Sequence, residues 1–407
     1  MTQKKILLIT NYFSPSKSVA ALRTGSWVKY FDKEKFSFEV IVMGSDYKDS
    51  VQDINGISVH YINDSSCFKL QTFTGKEPRL VHFLKAAYNR LFQYFIWNRE
   101  SDSIQKVAHL GRRLVQEGDF SYLMSTYPEI GPLLAAEKIK NEFPELKWIS
   151  DFRDHLSWDT LNTFSRKHAE RKLADSLCVT DLITVVSDPI GDEISKMKPD
   201  KVHANWVRIT NGYDFSPLKN LNALSITPIN IGYAGSLYGD RNLNIFLRAL
   251  EEFDENINLI VIGNKKPLPN LSEKIRARIS SQDRISYEEL PKKLSQMHAL
   301  LVTHPTTDQK GIYTSKLFDY LAIDRPILGL VDPDDVAAEL IRKCSAGWVS
   351  NSDDLAGIKR CLREIVDAYR TGSMPKRNWD LIAQYHRSVG VRLLQNEIES
   401  LTNDQKN

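Results

Sequence analysis

The chain has 407 residues, more than one hydrophobic core usually organises, so we expect two domains of roughly 200 residues each. Hydrophobic residues make up 42% and charged residues 26% of the chain, a balance that is typical of folded globular proteins and excludes a largely disordered one. The formal net charge of +3 is too small to predict nucleic-acid binding.

The N-terminal half alternates short apolar runs with helical patterns. This alternation predicts a parallel β-sheet with helical crossovers. The predicted strands are Lys5 to Thr10, Phe38 to Met43, Tyr122 to Ser125, Trp148 to Ser150 and Leu182 to Val186. The first apolar run is too short for a signal peptide or a membrane-spanning helix, and the cysteines are scattered without metal-ligand spacing. We therefore expect a cytoplasmic protein with reduced cysteines.

A positively charged, amphipathic segment spans residues 79–100. Four basic residues against the single acidic Glu100 give it a local charge of +3, and it is too polar to cross a bilayer. One interpretation is an interfacial helix that meets anionic headgroups or a lipid-linked substrate on the inner face of the cell membrane. The alternative is a core-facing helix with snorkelling cations.

Charged residues follow the predicted strand that ends near Ser150, in the order Asp151-Phe152-Arg153-Asp154. The carboxyl ends of parallel strands face the crevice in which α/β proteins bind ligands. Arg153 and Asp154 are therefore candidates for positioning a substrate hydroxyl. An ion-pair network that braces the strand end explains the same residues equally well.

A second α/β pattern begins after the turn-forming segment 210–214. Its predicted strands are Asn230 to Ala234, Ile257 to Ile262, Ala299 to Thr303, Pro326 to Val331 and Gly347 to Val349. The polar stretch through Ser225 and Pro228 suits an interdomain linker. We place the domains at 1–215 and 216–379, with a C-terminal helix at about 380–401 that packs back on the first domain.

Glycines follow the first strand of this second domain, in the sequence Gly235-Ser236-Leu237-Tyr238-Gly239, before Arg241 and a helical pattern. Such glycines let backbone amides approach an anion at a helix N-terminus, and an arginine adds a forked, charge-assisted contact. The alternative is a tight strand-to-helix turn with a solvated arginine.

A loop and short helix at 311–325 form the second candidate phosphate site. Thr314 or Ser315 would cap the helix, Lys316 adds a positive charge, and Asp319 follows one turn later. This spacing suits a phosphate and a ribose. The alternative makes Lys316 and Asp319 a surface pair, with the apolar residues of the helix in the core.

These two segments resemble the retaining, GT-B-fold glycosyltransferases of family 4. The resemblance rests on the Tyr-x-Gly loop that ends at Gly235 and on the run Lys316-Leu317-Phe318-Asp319-Tyr320-Leu321-Ala322, followed by Arg325-Pro326. Asp319 stands where the family usually has glutamate, and Gly311 occupies the first glutamate position of its Glu-x7-Glu pattern. The resemblance implies that Asp319 binds the donor's ribose. It implies that the donor's diphosphate is held by Gly235, Ser236, Arg241, Thr314, Ser315 and Lys316.

The first domain resembles the same family at two places. Asn11-Tyr12-Phe13-Ser14-Pro15, followed by Arg23, is similar to the family's Y-F-P-P loop, although Ser16 and Lys17 replace its glycines. Ser125 to Glu129 and Asp151 to Asp154 are similar to its S-x-P-P and D-F-R-D-P-W segments, with His155 in place of the proline. The implied acceptor and cleft residues are Ser16, Lys17, Arg23, Arg153 and Asp154.

The resemblance implies two Rossmann-like domains whose parallel sheets face each other across a cleft. It implies transfer of a sugar from a nucleotide-diphosphate sugar, with retention, to a lipid-linked or surface-glycan precursor. Arg241 and Lys316 would stabilise the leaving diphosphate, with Asp154 positioning the acceptor. The alternatives are a sugar-nucleotide epimerase of the same fold and a catalytically degenerate nucleotide-sugar-binding protein.

Neither a cofactor nor a metal is expected. Asp332-Pro333-Asp334 contains an Asp-x-Asp pattern, which binds a divalent metal in the other major transferase fold. The order Asp332-Pro333 also suits the cap and first turn of a helix that begins near Val336. We favour the helix start.

Overall fold

The computed structural model describes residues 3–14, 19–44, 47–63, 78, 80–87, 101–156, 163–197, 206–235, 243–263 and 272–403. The chain forms two compact units. Unit 1 comprises residues 1–210 and 391–407, and unit 2 comprises residues 211–390. The chain therefore passes between the units twice, at 210/211 and at 390/391.

Unit 1 is built on an eight-stranded sheet in the order β3-β4-β2-β1-β5-β6-β7-β8. Only β3 runs antiparallel to its neighbour, and the other pairs are parallel. The strands are β1 (Lys4–Thr10), β2 (Phe36–Gly44), β3 (Ser50–Ile54), β4 (Ile57–Asn63), β5 (Phe120–Tyr127), β6 (Lys147–Phe152), β7 (Leu182–Val185) and β8 (Trp206–Arg208).

Unit 2 contains a six-stranded parallel sheet in the order β11-β10-β9-β12-β13-β14. Its strands are β9 (Ile229–Ala234), β10 (Ile257–Ile262), β11 (Ile279–Gln282), β12 (Ala299–Thr303), β13 (Ile327–Leu330) and β14 (Gly347–Ser350). This is the 3-2-1-4-5-6 order of a Rossmann sheet, whose topological switch point lies between β9 and β12. The corresponding point in unit 1 lies between β1 and β5.

Helices connect the strands in both units. In unit 1 they are α1 (Val19–Tyr30), α2 (Ser101–Glu117), α3 (Ile130–Glu142), α4 (Thr163–Cys178) and α5 (Asp188–Met197). In unit 2 they are α6 (Asn244–Glu251), α7 (Glu273–Arg276), α8 (Leu290–Leu294), α9 (Ser315–Leu321), α10 (Val336–Lys343), α11 (Leu355–Thr371) and α12 (Trp379–Ala383). The last helix, α13 (Arg387–Asn403), begins in unit 2 and ends in unit 1. A further helical segment covers residues 80–87.

Every strand predicted from the apolar runs is present, because strands buried on both faces read as continuous hydrophobic stretches. The β3–β4 hairpin was missed. Its turn is Asn55-Gly56, and both residues have positive φ, 55° and 81°. An Asn-Gly pair is the strongest short-range signal for such a hairpin, so this hairpin could have been predicted from the sequence.

Each sheet has apolar clusters on both faces. The C-terminal helix α13 contributes Val391, Leu394 and Ile398 to the core of unit 1, beside Ile6 and Leu8 of β1. An ion pair between Lys35 and Glu399 ties the same helix to the surface of the unit. Among the described residues, no helix is both long and apolar enough to cross a membrane.

Candidate functional site

Two glycines meet at the carboxyl ends of the first two strands of unit 2. Gly235 follows β9 with φ +126° and donates its N–H to the carbonyl of Ile262 over 2.8 Å. Gly263 follows β10 with φ +100°, and a Cβ added there would lie 3.6 Å from Cα of Gly235. The two backbones therefore form a side-chain-free edge at the switch point. Ser236 and Arg241, which complete the predicted loop, lie outside the described residues.

The ammonium of Lys316 lies at this glycine edge. Its Nζ is 4.0 Å from the centroid of the Tyr233 ring, and a Cβ added to Gly235 would lie 3.2 Å from it. Tyr233 is fully buried in β9, so its ring is a fixed floor for the cation. The strand, the glycine and the lysine therefore lie together, and the cation–π contact with Tyr233 positions the ammonium.

Thr314 occupies the cap position of α9 with extended backbone (φ −72°, ψ 131°), but its side chain makes no capping hydrogen bond. The residue is 7% exposed, and its Oγ1 has no hydrogen-bond partner among the residues that the structure describes. Leaving a buried hydroxyl unsatisfied costs about 1–3 kcal/mol. A polar ligand within hydrogen-bond reach of Oγ1 would remove that cost.

Asp319 lies one turn into α9 and is approached by Tyr287. The Tyr287 hydroxyl donates to Asp319 Oδ1 over 2.6 Å. Burial raises the pKa of Asp319 to about 6, although the Tyr287 hydrogen bond and the positive charge of Arg387 act to lower it. The next residue, Tyr320, fixes the helix against the sheet by accepting the N–H of Ala234 over 2.8 Å.

The Asp-x-Asp segment is engaged in local structure. Asp332 pairs with Lys310 and accepts the N–H of Asp334 over 2.9 Å. The helix begins at Val336 as predicted, but its cap is Asp335 rather than Asp332. Asp335 Oδ1 accepts the N–H of Val336 over 2.8 Å and that of Gly311 over 2.7 Å. Gly311, at the position of the family's first glutamate, is thereby tied to this cap.

In unit 1, Arg23 and Asp151 form a buried bidentate ion pair. Arg23 Nε and Nη2 lie 2.9 and 2.6 Å from the two carboxylate oxygens, and the Thr184 hydroxyl donates to Asp151 Oδ1 over 2.6 Å. Arg23 also donates to the carbonyls of Ile209 and Thr210, over 2.9 and 3.2 Å. Asp151 therefore belongs to an ion-pair network that braces the end of its strand. Arg23 also anchors the last residues before the chain enters unit 2.

Arg153 and Asp154 continue from the end of β6 toward the surface. The Arg153 guanidinium lies 4.9 Å from the Tyr12 ring centroid, and its Nε donates to the Tyr127 carbonyl over 3.1 Å. Burial lowers the pKa of Arg153 from its usual value. Asp154 is exposed, and its Oδ1 accepts the N–H of His155 over 3.0 Å. Ser16 and Lys17 lie outside the described residues.

No protein-family model matches the chain, and no curated protein matches it in sequence. Solved structures do match in fold over nearly the full length. The UDP-forming α,α-trehalose-phosphate synthase of Burkholderia vietnamiensis superposes with a TM-score of 0.66 at 11% identity, covering 99% of this chain and 100% of that one. The lipopolysaccharide outer core galactosyltransferase WaaB gives 0.62 at 13% identity (97% and 99%). HepE of Anabaena gives 0.59 at 11% identity (97% and 99%). The chain has the GT-B fold.

Within the GT-B fold, two residues near the candidate sites were missed by sequence reasoning. Tyr287 lies in the loop between β11 and α8, which has no motif, so only the tertiary structure brings it to Asp319. His155 was noted only as a replacement for proline. Its Nδ1 lies 2.9 Å from Glu193 Oε2, and within the described part of the chain its buried Nε2 has no hydrogen-bond partner.

His298 has a structural role in unit 2. Its Nδ1 accepts the N–H of Asn230 over 3.0 Å, and its Nε2 lies 2.7 Å from the carbonyl of Ser225. Burial lowers the pKa of His298, which favours the neutral ring that this pair of contacts requires. The histidine joins β9 to the segment that precedes it.

Proposed function

We propose that the protein is a glycosyltransferase whose unit 2 holds a nucleotide-diphosphate sugar. The observation that carries this proposal is the placement of Lys316 Nζ against the glycine edge at Gly235. A cation beside side-chain-free backbone, at the switch point of a Rossmann sheet, suits a diphosphate. Thr314 adds an unpartnered buried hydroxyl next to Lys316. Ser236, Arg241 and Ser315 complete the proposed diphosphate contacts.

Asp319 supplies the ribose contact in this proposal. A nucleotide whose diphosphate lies at Lys316 has its ribose a few ångströms farther along, and Asp319 is one helical turn away on α9. Two proteins of similar fold support a donor of this class. HepE of Anabaena is known in complex with UDP and glucose, and the E. coli trehalose-6-phosphate protein is known bound with UDP-2-fluoroglucose.

Transfer would proceed with retention, as in family 4. An acceptor hydroxyl oxygen bonds to the anomeric carbon while the bond between that carbon and the diphosphate oxygen breaks, and the departing diphosphate takes the acceptor's proton. Negative charge builds on the leaving diphosphate, so Lys316 and Arg241 stabilise the transition state more than the ground state. Arg153 and Asp154 position the acceptor, and Ser16 and Lys17 are further proposed acceptor contacts. No metal or other cofactor takes part.

A lipid-linked or surface-glycan precursor is the acceptor we favour, because the described residues 80–87 expose apolar side chains within the basic segment 79–100. In the described part of this segment, Leu80, Phe83 and Leu84 are 69%, 68% and 58% exposed. A core-facing helix would bury them. With the basic residues of 79–100, these side chains suit peripheral contact with the anionic inner face of the cell membrane.

The donor proposal is tested by a thermal-shift and calorimetric screen of nucleotide sugars. A ligand at 100 times its dissociation constant stabilises a protein by about 2.7 kcal/mol. We expect one nucleotide sugar to bind more tightly than the others. Lys316→Ala should weaken its binding, and Lys343→Ala, at an exposed position, should not. A screen without any shift would refute the proposal. Donor consumption without an acceptor would favour the epimerase, and binding without turnover a degenerate binder.

The membrane proposal has its own test, cosedimentation with liposomes that contain phosphatidylglycerol or only phosphatidylcholine. We expect binding to the anionic vesicles alone. The double substitution Leu80→Asp with Phe83→Asp should abolish it, and Val51→Asp, at an exposed apolar position of β3, should not. If both variants bound the anionic vesicles equally well, residues 79–100 would not be the membrane contact.

A further inference from the structure

Tyr287 holds its phenol against the proposed ribose carboxylate. Its ring contacts Phe215 edge-on, with centroids 6.4 Å apart, and its hydroxyl lies 2.6 Å from Asp319 Oδ1. Burial, with the nearby charge of Asp319, raises the pKa of Tyr287 well above its usual range. The phenol therefore keeps its proton and is the donor in this hydrogen bond.

The pair retains unused acceptor capacity. A phenol has one proton, and here Asp319 receives it, so the lone pairs of Tyr287 Oη remain available to another donor. The Tyr287 proton goes to Asp319 Oδ1, so Oδ2 is the carboxylate oxygen that this hydrogen bond leaves for a ligand. With Tyr287 Oη 2.6 Å from Oδ1, acceptor oxygens from two different side chains meet at this carboxylate. Leu317, Phe318 and Tyr320 are fully buried on the same helix and hold the carboxylate in place.

A ligand with two adjacent O–H donors would complement these two acceptor oxygens. The vicinal 2′ and 3′ hydroxyls of a ribose have this chemistry, whereas a phosphate offers none at neutral pH. Asp319 is one methylene shorter than the glutamate usual in the family, so its carboxylate reaches less far. The Tyr287 oxygen extends the accepting surface by one more atom.

We propose that Tyr287 is a second ribose-recognition residue, and that its Oη and Asp319 Oδ2 each accept one ribose hydroxyl. This inference rests on the proposed function and narrows it. The site would select ribonucleotide donors, such as UDP-, GDP-, ADP- or CDP-sugars, over thymidine-diphosphate sugars, which lack the 2′ hydroxyl. A sugar donor built on a 2′-deoxynucleotide would bind with one hydrogen bond fewer.

The test is calorimetry of the full chain with the best-binding nucleoside diphosphate of UDP, GDP, ADP and CDP, and with its 2′-deoxy and 3′-deoxy forms. We expect each deoxy form to bind the wild type roughly 3- to 10-fold more weakly, the effect of one hydrogen bond. Tyr287→Phe should weaken the ribonucleotide by a similar factor and lose discrimination against one of the deoxy forms, as coupled groups do in a double-mutant cycle.

A matched control is Tyr369→Phe, which removes another half-buried phenol hydrogen bond of unit 2, to the His298 carbonyl at 2.6 Å. It should leave affinity and discrimination unchanged. The pH profile adds a readout that a packing role would not move. Tyr287→Phe deletes a bond that lowers the pKa of Asp319, so the midpoint of nucleotide binding should shift to higher pH.

Two results obtained with the wild-type protein alone would overturn the inference. They are deoxy forms that bind the wild type as tightly as the ribonucleotide, and selection for thymidine diphosphate. A folded Tyr287→Phe protein with unchanged affinity and discrimination would also overturn it. Failure of the wild type to bind any of the four nucleotides is a different outcome, because it refutes the donor site itself.

Discussion

The six parallel strands from β4 to β7 in the sheet of unit 1 have the same order as the six strands of unit 2, but the polar groups at the two switch points are used differently. In unit 1, the hydroxyls of Thr10 and Thr126 lie 2.9 Å apart and satisfy each other. Asp151, one strand farther along, is held by Arg23 and Thr184. In unit 2, the corresponding edge presents the unpartnered hydroxyl of Thr314 and the ammonium of Lys316 over a tyrosine ring.

This contrast teaches that position at a strand's carboxyl end does not by itself make a residue a ligand contact. Among the described residues, the threonine hydroxyls separate the two edges: those of Thr10 and Thr126 have a protein partner, and that of Thr314 has none. Buried groups with complete partners stabilise the fold, whereas a buried group without one costs free energy until a ligand supplies it. Four substitutions or titrations test this distinction.

The largest effect is expected from Arg23→Ala in unit 1. Removing one partner of a buried ion pair leaves the Asp151 carboxylate uncompensated, which costs about 3–5 kcal/mol. The urea transition of unit 1 should shift accordingly. Arg208→Ala is the control, because its pair with Asp188 is about half exposed and is worth roughly 0–1 kcal/mol. Similar losses in both variants would contradict the bracing role.

Lys316→Ala should act on the ligand rather than on the fold. A charge-assisted contact to the diphosphate contributes about 1.5–3 kcal/mol, so affinity for the nucleoside diphosphate should fall roughly 10- to 150-fold. Calorimetry measures this change, and circular dichroism checks that the melting temperature holds. A variant with a lower melting temperature and unchanged nucleotide affinity would mean that Lys316 stabilises the fold, as Arg23 and Asp151 do in unit 1.

The third expected effect is a pH dependence at Asp319. The carboxylate must be ionised to accept ribose hydroxyls, and its folded-state pKa is raised to about 6. Nucleotide affinity should therefore fall as the pH drops through 6, by up to tenfold per unit below it. Asp319→Asn should flatten this profile. Because the folded pKa lies above the unfolded one, the carboxyl's contribution to stability is greatest at low pH and is lost as the pH rises through 6.

The smallest effect on ligand affinity, and the sharpest comparison, comes from replacing matched threonines by valine. Thr184→Val removes a donor to buried Asp151 and should destabilise unit 1 by about 1.5–3 kcal/mol. Thr314→Val removes a hydroxyl without a partner, so the apoprotein should keep or slightly gain stability while nucleotide affinity falls roughly 3- to 10-fold. Paired melting and binding curves measure both. A destabilised Thr314→Val protein would mean that its hydroxyl already has a structural role.

The sequence by itself determined the elements of the fold and the residue types of the donor-side candidates. Fully buried parallel strands are recognisable because both faces are apolar, and the glycine after β9 and the Lys316 helix follow strands that could be predicted. The β3–β4 hairpin was also readable, from its Asn55-Gly56 turn. Local sequence carries this information because propensity, capping and periodicity act over a few residues.

Only the tertiary structure decided which of those polar groups are already partnered. Arg23 and Asp151 are separated by 128 positions, and Tyr287 and Asp319 by 32, so no spacing rule links them. Whether Thr314 caps its helix or leaves its hydroxyl unpartnered depends on side-chain packing, not on the identity of the cap residue. Hydrogen-bond satisfaction is a property of three-dimensional neighbours, and for that reason the partners of Asp319 were visible only once the chain was folded.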